Sequence, residues 1–112
     1  MIKEKIFNKL IRDNIPQILK NRKVRFTAHI LSGNDFLKEL NNKLDEEINE
    51  YLQAKNKTEA LEELADILEV IKTILRELNI SYDELEEIRL KKLNINGGFS
   101  KKIFLEKICE NK

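Results

Sequence analysis

The sequence predicts an all-α fold: an antiparallel helical bundle of about four helices, with one or two short extended segments. Three observations carry that expectation. Charged residues make up 37% of the 112 and apolar ones 41%, with only three Gly and one Pro. That balance suits amphipathic helices better than a sandwich of short strands. Apolar residues recur at helical spacing from Phe36 to Leu78, the signature of helices with one covered face. Polar breaks at 32–35, 55–57, 79–81 and 96–98 divide that pattern into helix-length pieces. A chain of this length fits one compact domain spanning 1–112. Within it, 1–31 form a basic arm, 35–94 a helical core and 95–112 a closing segment.

The elements follow in order. Asn14-Ile15-Pro16-Gln17 reads as a helix start, with Asn14 as cap, Pro16 in the first turn and Gln17 reaching back. This first helix runs to about Asn21. Val24 to Ile30 alternate apolar and polar, the period of a strand. The only candidate partner for such a strand is Lys102-Ile103-Phe104-Leu105. Ser32-Gly33-Asn34-Asp35 is a turn leading into the second helix, about Asp35 to Ala54. Thr58 is the expected cap of the third helix, which runs to about Leu78 with Leu61, Leu64, Leu68, Ile71, Leu75 and Leu78 on one spacing. Ser81 with Glu84 three residues on predicts a capping box for the fourth helix, roughly 82–94, and Asn96-Gly97-Gly98 stops it. Tyr51 is expected in the core, His29 on the strand surface and Cys109 as an unreactive thiol.

Charge is unevenly laid out. Residues 1–31 carry eight bases against two acids, 32–90 seven against sixteen, and 91–112 six against two. Such a chain can fold its basic ends onto its acidic middle, either as plain charge balancing or to join cation-binding and anion-binding groups in one site. No apolar run approaches the roughly 20 residues that span a bilayer. The opening residues lack the apolar stretch of a secretory signal, and a lone Cys109 cannot make an internal disulfide. A reducing cytoplasm is the expected location.

On a wheel of about 100° per residue, Phe36, Leu40, Leu44, Ile48, Tyr51 and Leu52 fill one arc of the second helix. Glu47 falls inside that arc, Glu50 just outside one edge, and Glu46 a little further round. On the third helix Glu63 falls beside Ile67, Val70 and Ile74, with Asp66 at the border. Four acids therefore crowd the faces that two antiparallel helices turn toward each other. An unpaired buried carboxylate costs several kcal/mol in practice and takes up a proton instead. A divalent cation removes both that cost and the mutual repulsion. Glu47 and Glu50 are three residues apart, as are Glu63 and Asp66, so each pair shares one side of its helix. All-oxygen ligation suits Mg²⁺ or Mn²⁺, and the absence of Cys and His from the set argues against zinc.

These residues resemble the signature of the MazG-like, all-α nucleoside triphosphate pyrophosphohydrolases: EExxE at Glu46-Glu47-Ile48-Asn49-Glu50, a spacer, then ExxD at Glu63-Leu64-Ala65-Asp66. The opening Asn8-Lys9-Leu10-Ile11-Arg12-Asp13-Asn14-Ile15-Pro16 is similar to the KLVRDxIP start of the phosphoribosyl-ATP pyrophosphohydrolase-like branch. Asn96-Gly97-Gly98-Phe99 and Ile103-Phe104-Leu105 resemble its closing segment. The resemblance implies a bundle completed by dimerisation or tetramerisation. It implies Mg²⁺-dependent cleavage between the α and β phosphates, giving a nucleoside monophosphate and pyrophosphate, with nucleotide-pool house-cleaning as a role. It implies Glu47, Glu50, Glu63 and Asp66 as metal ligands and Glu46 as the group that orients or deprotonates the attacking water. Lys9, Arg12, Lys91 and Lys92 are candidate holders of the substrate phosphates, by charge and position. Where the branch often carries a basic residue after the opening RD, this chain has Asn14, which removes one grip on phosphate there. The substrate stays open among ordinary nucleotides, damaged nucleotides and phosphoribosyl-ATP.

The competing expectation is a non-catalytic helical module that binds a protein or nucleic acid through Lys20-Asn21-Arg22-Lys23-Val24-Arg25. That run is short, has no interleaved stacking aromatics, and leaves Glu47 unexplained. Neither a membrane nor a stable nucleic-acid partner is expected.

Overall fold

The structure is a computed structural model that describes residues 3–110. It forms four helices: α1 (Ile15–Asn21), α2 (Gly33–Leu52), α3 (Lys57–Glu77) and α4 (Tyr82–Asn96). Among the described residues there is no strand, so the fold is all-α. The chain divides into two compact units, Met1–Asn79 and Ile80–Lys112.

In the first unit α2 and α3 pack against each other, joined by a short link that makes them antiparallel neighbours. Leu40, Val70 and Leu75 are the buried apolar side chains, with Leu40 only 2% exposed. Glu47, on the same covered face of α2, is 5% exposed. The face of α3 that packs inward carries Glu63, Asp66, Ile67, Val70 and Ile74, all buried or half-buried. The leucine row whose spacing marks the extent of α3 turns largely elsewhere. Leu75 is buried and Ile71 half-buried, but Leu61, Leu64, Leu68 and Leu78 are exposed. Tyr51 is exposed as well, not core. α3 is apolar on more than one side, and the side bearing Glu63 is the one α2 covers.

Helix ends show which local signals are used. α1 starts after a turn in which Ile15 N–H donates to Arg12 O at 3.1 Å. Asn14 makes no side-chain cap, and Gln17 donates to Asn21 Oδ1 at 2.9 Å instead of reaching back. At the other end Lys23 N–H donates to Lys20 O and Val24 N–H to Leu19 O, with Lys23 at φ +59°. This is a Schellman closure with lysine in the left-handed position that glycine usually takes. α2 begins two residues before the expected Asp35, with Gly33 at φ +57°, and ends at Leu52, two before Ala54.

α3 is capped by Asn56, not Thr58: the Asn56 side chain accepts from Glu59 N–H at 2.9 Å, and Glu59 Oε2 accepts from Lys55 N–H at 2.9 Å. Asn56 has the extended backbone a cap needs, and asparagine ranks among the best capping residues. Asn79, at φ +58°, closes the helix. In the second unit Ser81 Oγ accepts from Glu84 N–H at 3.1 Å, the expected cap, and α4 runs to Asn96 before Gly97 turns left-handed at φ +81°.

Val24 to Ile30 form no strand, and residues 102–105 have no regular structure either. Alternation predicts which side of a strand would be covered, but a strand exists only when a second one pairs its backbone. His29 and Cys109 are both exposed. No helix is long and apolar enough to cross a membrane among the described residues.

Candidate active site

The site grows from helical spacing on two facing helices. α2 presents Glu46, Glu47 and Glu50 within little more than one turn, and α3 presents Glu63 and Asp66 three residues apart. Their packing brings one carboxylate oxygen each from Glu47, Glu50 and Glu63 within 4.8 Å of one another. Glu47 is buried, Glu63 half-buried and Glu50 exposed, so the cluster runs from the helix interface to solvent.

Two oxygens of this cluster are stranded. Glu47 Oε2 and Glu63 Oε2 are shielded from solvent and have no hydrogen-bond partner. Buried polar atoms are nearly always paired, so such orphans mark a missing cation, proton or water. Burial pushes the Glu47 carboxyl above its usual range; a hydrogen bond shared with the Glu63 carboxyl opposes that rise, as does Lys43, while the charges of Glu50 and Asp66 add to it. Glu63 is raised to about 7, first by the close approach of the Glu47 carboxyl, then by lost solvent and by Glu50. The donor set is all oxygen, and its orphaned atoms fit a hard divalent ion.

Around the cluster the basic arm is fastened down. Lys9 Nζ donates to Glu46 Oε1 at 2.9 Å, and Arg12 Nη2 donates to Asp66 Oδ1 at 2.5 Å. The hydrogen bond to Glu46 raises the Lys9 pKa, chiefly against desolvation. Burial alone would push Glu46 upward, but the Lys9 hydrogen bond and the Lys43 and Lys9 charges outweigh it and hold it below the usual carboxylate range. Glu46 is therefore an ionised acceptor with a cation on each side. Asp66 borders the cluster, with its charge shared with Arg12 rather than converging with the other three.

Lys43 completes the ring, 3.4 Å from Glu46 Oε2 and 3.5 Å from Glu47 Oε1. It is not among the residues singled out from the sequence, although its spacing of three and four to Glu46 and Glu47 was the available signal. Lys91 and Lys92 lie exposed on α4, in the second unit. A surface hollow of about 630 Å³ is lined by Pro16, Lys20, Val24, Arg25, Phe26, Thr27 and Ala28. No carboxylate is among these lining residues.

Residues 5–92 match the family described as phosphoribosyl-ATP pyrophosphohydrolase. The chain belongs to that family. The phosphoribosyl-ATP pyrophosphohydrolase family sits within the MazG-like all-α nucleoside triphosphate pyrophosphohydrolases, as the EExxE and ExxD segments indicate. Its members are pyrophosphohydrolases acting on nucleotides. No curated protein and no solved structure matches the chain.

Proposed function

We propose that this family member is a Mg²⁺-dependent nucleoside triphosphate pyrophosphohydrolase. Water adds across the α–β anhydride, and a nucleoside monophosphate and pyrophosphate leave. The observation that carries the reading is the convergence of Glu47, Glu50 and Glu63, with one orphaned, shielded oxygen on each of Glu47 and Glu63. A non-catalytic binding module gives no reason to place carboxylates so.

Glu47, Glu50 and Glu63 are the groups that would hold the ion, Mg²⁺ or Mn²⁺, with Asp66, here paired with Arg12, as the fourth ligand once Arg12 turns to phosphate. When bound, the ion neutralises phosphate charge and polarises the phosphoryl oxygens. The remaining work falls to the chain. Glu46, ionised and steadied by Lys9 and Lys43, accepts a hydrogen bond from the attacking water and orients it. Lys9 and Arg12, at the edge of the cluster, are placed to take up phosphate oxygens. Positioning and charge neutralisation are the main levers in phosphate-transfer chemistry. Substrates are ordinary or damaged nucleoside triphosphates, a house-cleaning role, with phosphoribosyl-ATP the further candidate that the family description supplies.

The same reading has the chain act as a homodimer or homotetramer. Supporting it, Leu61 is 70% exposed, with Leu64 and Leu68 on the same side of α3. A second copy would cover that side and enlarge a core that holds few fully buried side chains. Light scattering measures this directly.

The deciding experiment is pyrophosphate release from a panel of nucleoside triphosphates and phosphoribosyl-ATP, with Mg²⁺, with Mn²⁺ and with chelator. At least one substrate should be cleaved, only with metal. Glu47→Gln and Asp66→Asn should each abolish turnover while circular dichroism stays helical. Full activity in both variants rejects the assignment.

A further inference from the structure

We propose that Phe7 is the platform on which the substrate's nucleobase stacks, an inference that rests on the nucleotide reading above. The argument begins with how the arm is held. Residues 3–9 have no regular structure, yet Lys9 is tied to Glu46 on α2 and Arg12 to Asp66 on α3. These two ion pairs pin the arm beside the acidic cluster. Asn8, between Phe7 and Lys9, takes a left-handed φ of +44°, and the Lys9 ammonium lies over the Phe7 ring.

Phe7 is 59% exposed. Lys9 Nζ lies 5.7 Å from its ring centroid and Lys5 Nζ 5.1 Å. Since Lys9 Nζ is also 2.9 Å from Glu46 Oε1, the ring centre is no more than about 9 Å from that carboxylate. A ribose and one phosphate span such a gap. A largely exposed aromatic residue with two ammonium groups over its ring, and an acidic cluster beyond them, thus occur in the order a nucleotide needs: base, phosphates, metal. A base stacking on the ring displaces one of these ammonium groups toward the phosphates. A single exposed apolar residue is ordinary; one flanked by cations at this distance from the carboxylates is not explained by packing. Every base has a π-face, so stacking accepts purines and pyrimidines alike, and the larger purines gain more.

The test uses the full-length protein, nucleoside triphosphates, and inorganic tripolyphosphate as a probe with phosphates but no base. Phe7→Ala should raise KM for a purine triphosphate about tenfold, the size expected for one lost stacking contact. The inhibition constant of tripolyphosphate should not move. The chain has no Trp, so Phe7→Trp introduces a unique fluorophore that should restore KM. Its emission should be quenched by a nucleotide with a non-hydrolysable α–β bridge and not by tripolyphosphate.

Parallel weakening of nucleotide and tripolyphosphate in Phe7→Ala overturns the proposal, as does a change of oligomeric state in that variant. Active Phe7→Trp with no base-dependent quenching overturns it while leaving the hydrolase reading intact. Base-dependent quenching without any turnover in the unsubstituted protein keeps the stacking site and sinks the hydrolase reading instead.

Discussion

Arg12 and Asp66, 54 residues apart, are joined by a hydrogen-bonded ion pair that fastens the basic arm to α3. Arg12 is well exposed and Asp66 half-exposed, so solvent screens the pair and its contribution to stability is small, about 1 kcal/mol or less. Its weight lies in where it holds a guanidinium. Arg12→Gln should leave the melting temperature within about four degrees, while KM for a nucleoside triphosphate rises roughly tenfold or more, as for a lost charge-assisted hydrogen bond. Calorimetry and steady-state kinetics on one preparation check both halves. A large loss of stability with unchanged KM would make Arg12 a structural strut.

Glu47→Gln should act in opposite directions on stability and on activity. Replacing a buried carboxylate that faces others with a neutral amide relieves repulsion, so the metal-free protein should melt higher than the parent. A ligand at about 100 times its dissociation constant stabilises by about 2.7 kcal/mol. The parent should therefore gain clearly from millimolar Mg²⁺ and the variant should gain little. Melts with Mg²⁺ and with chelator read both effects, and a parent indifferent to Mg²⁺ would favour a binding module over an enzyme.

Metal-free stability should fall as pH rises from about 4.5 to about 7. Glu63 has its folded pKa raised from 4.5 to about 7, and Glu47 is raised as well. A carboxyl raised on folding binds more protons folded than unfolded across that window, so deprotonation there opposes folding. Glu46 is lowered, and its contribution is present above 4.5 and lost only as pH falls below it. Denaturation at several pH values should show the decline with chelator and a flatter profile with saturating Mg²⁺. A profile rising through this range in chelator contradicts the carboxylate geometry.

Asn56→Ala should destabilise the protein by about 1 kcal/mol, the usual effect of losing a helix cap, while Thr58→Ala should cost less. Turnover per folded molecule should be unchanged, since neither residue belongs to the acidic cluster. Urea titrations of the two variants, side by side, distinguish the caps.

Much of the site is legible in the local pattern. A period of 3.6 residues places Glu47 on the apolar arc of α2 and Glu63 beside Val70 on α3, and both positions hold in the structure. Ser81 is likewise visible as a cap. Lys43 was equally available from its spacing, since it lies one turn from Glu46 and Glu47.

The sequence by itself determined the helices, the turns between them and the register of the acids within each helix, because these depend on neighbours within about four residues. Only the tertiary structure decided that most of the leucine row of α3 is left exposed and how far each carboxylate is covered. The helix is apolar on two sides, and spacing alone does not say how much of each side is covered. Tertiary structure also decided that Lys9 finds Glu46 across 37 residues, that Arg12 engages Asp66, and that Val24 to Ile30 pair with no strand. Helical periodicity has no reach beyond its own helix. Pairings between distant segments depend on the path of the chain, and that path follows from the packing of α2 on α3.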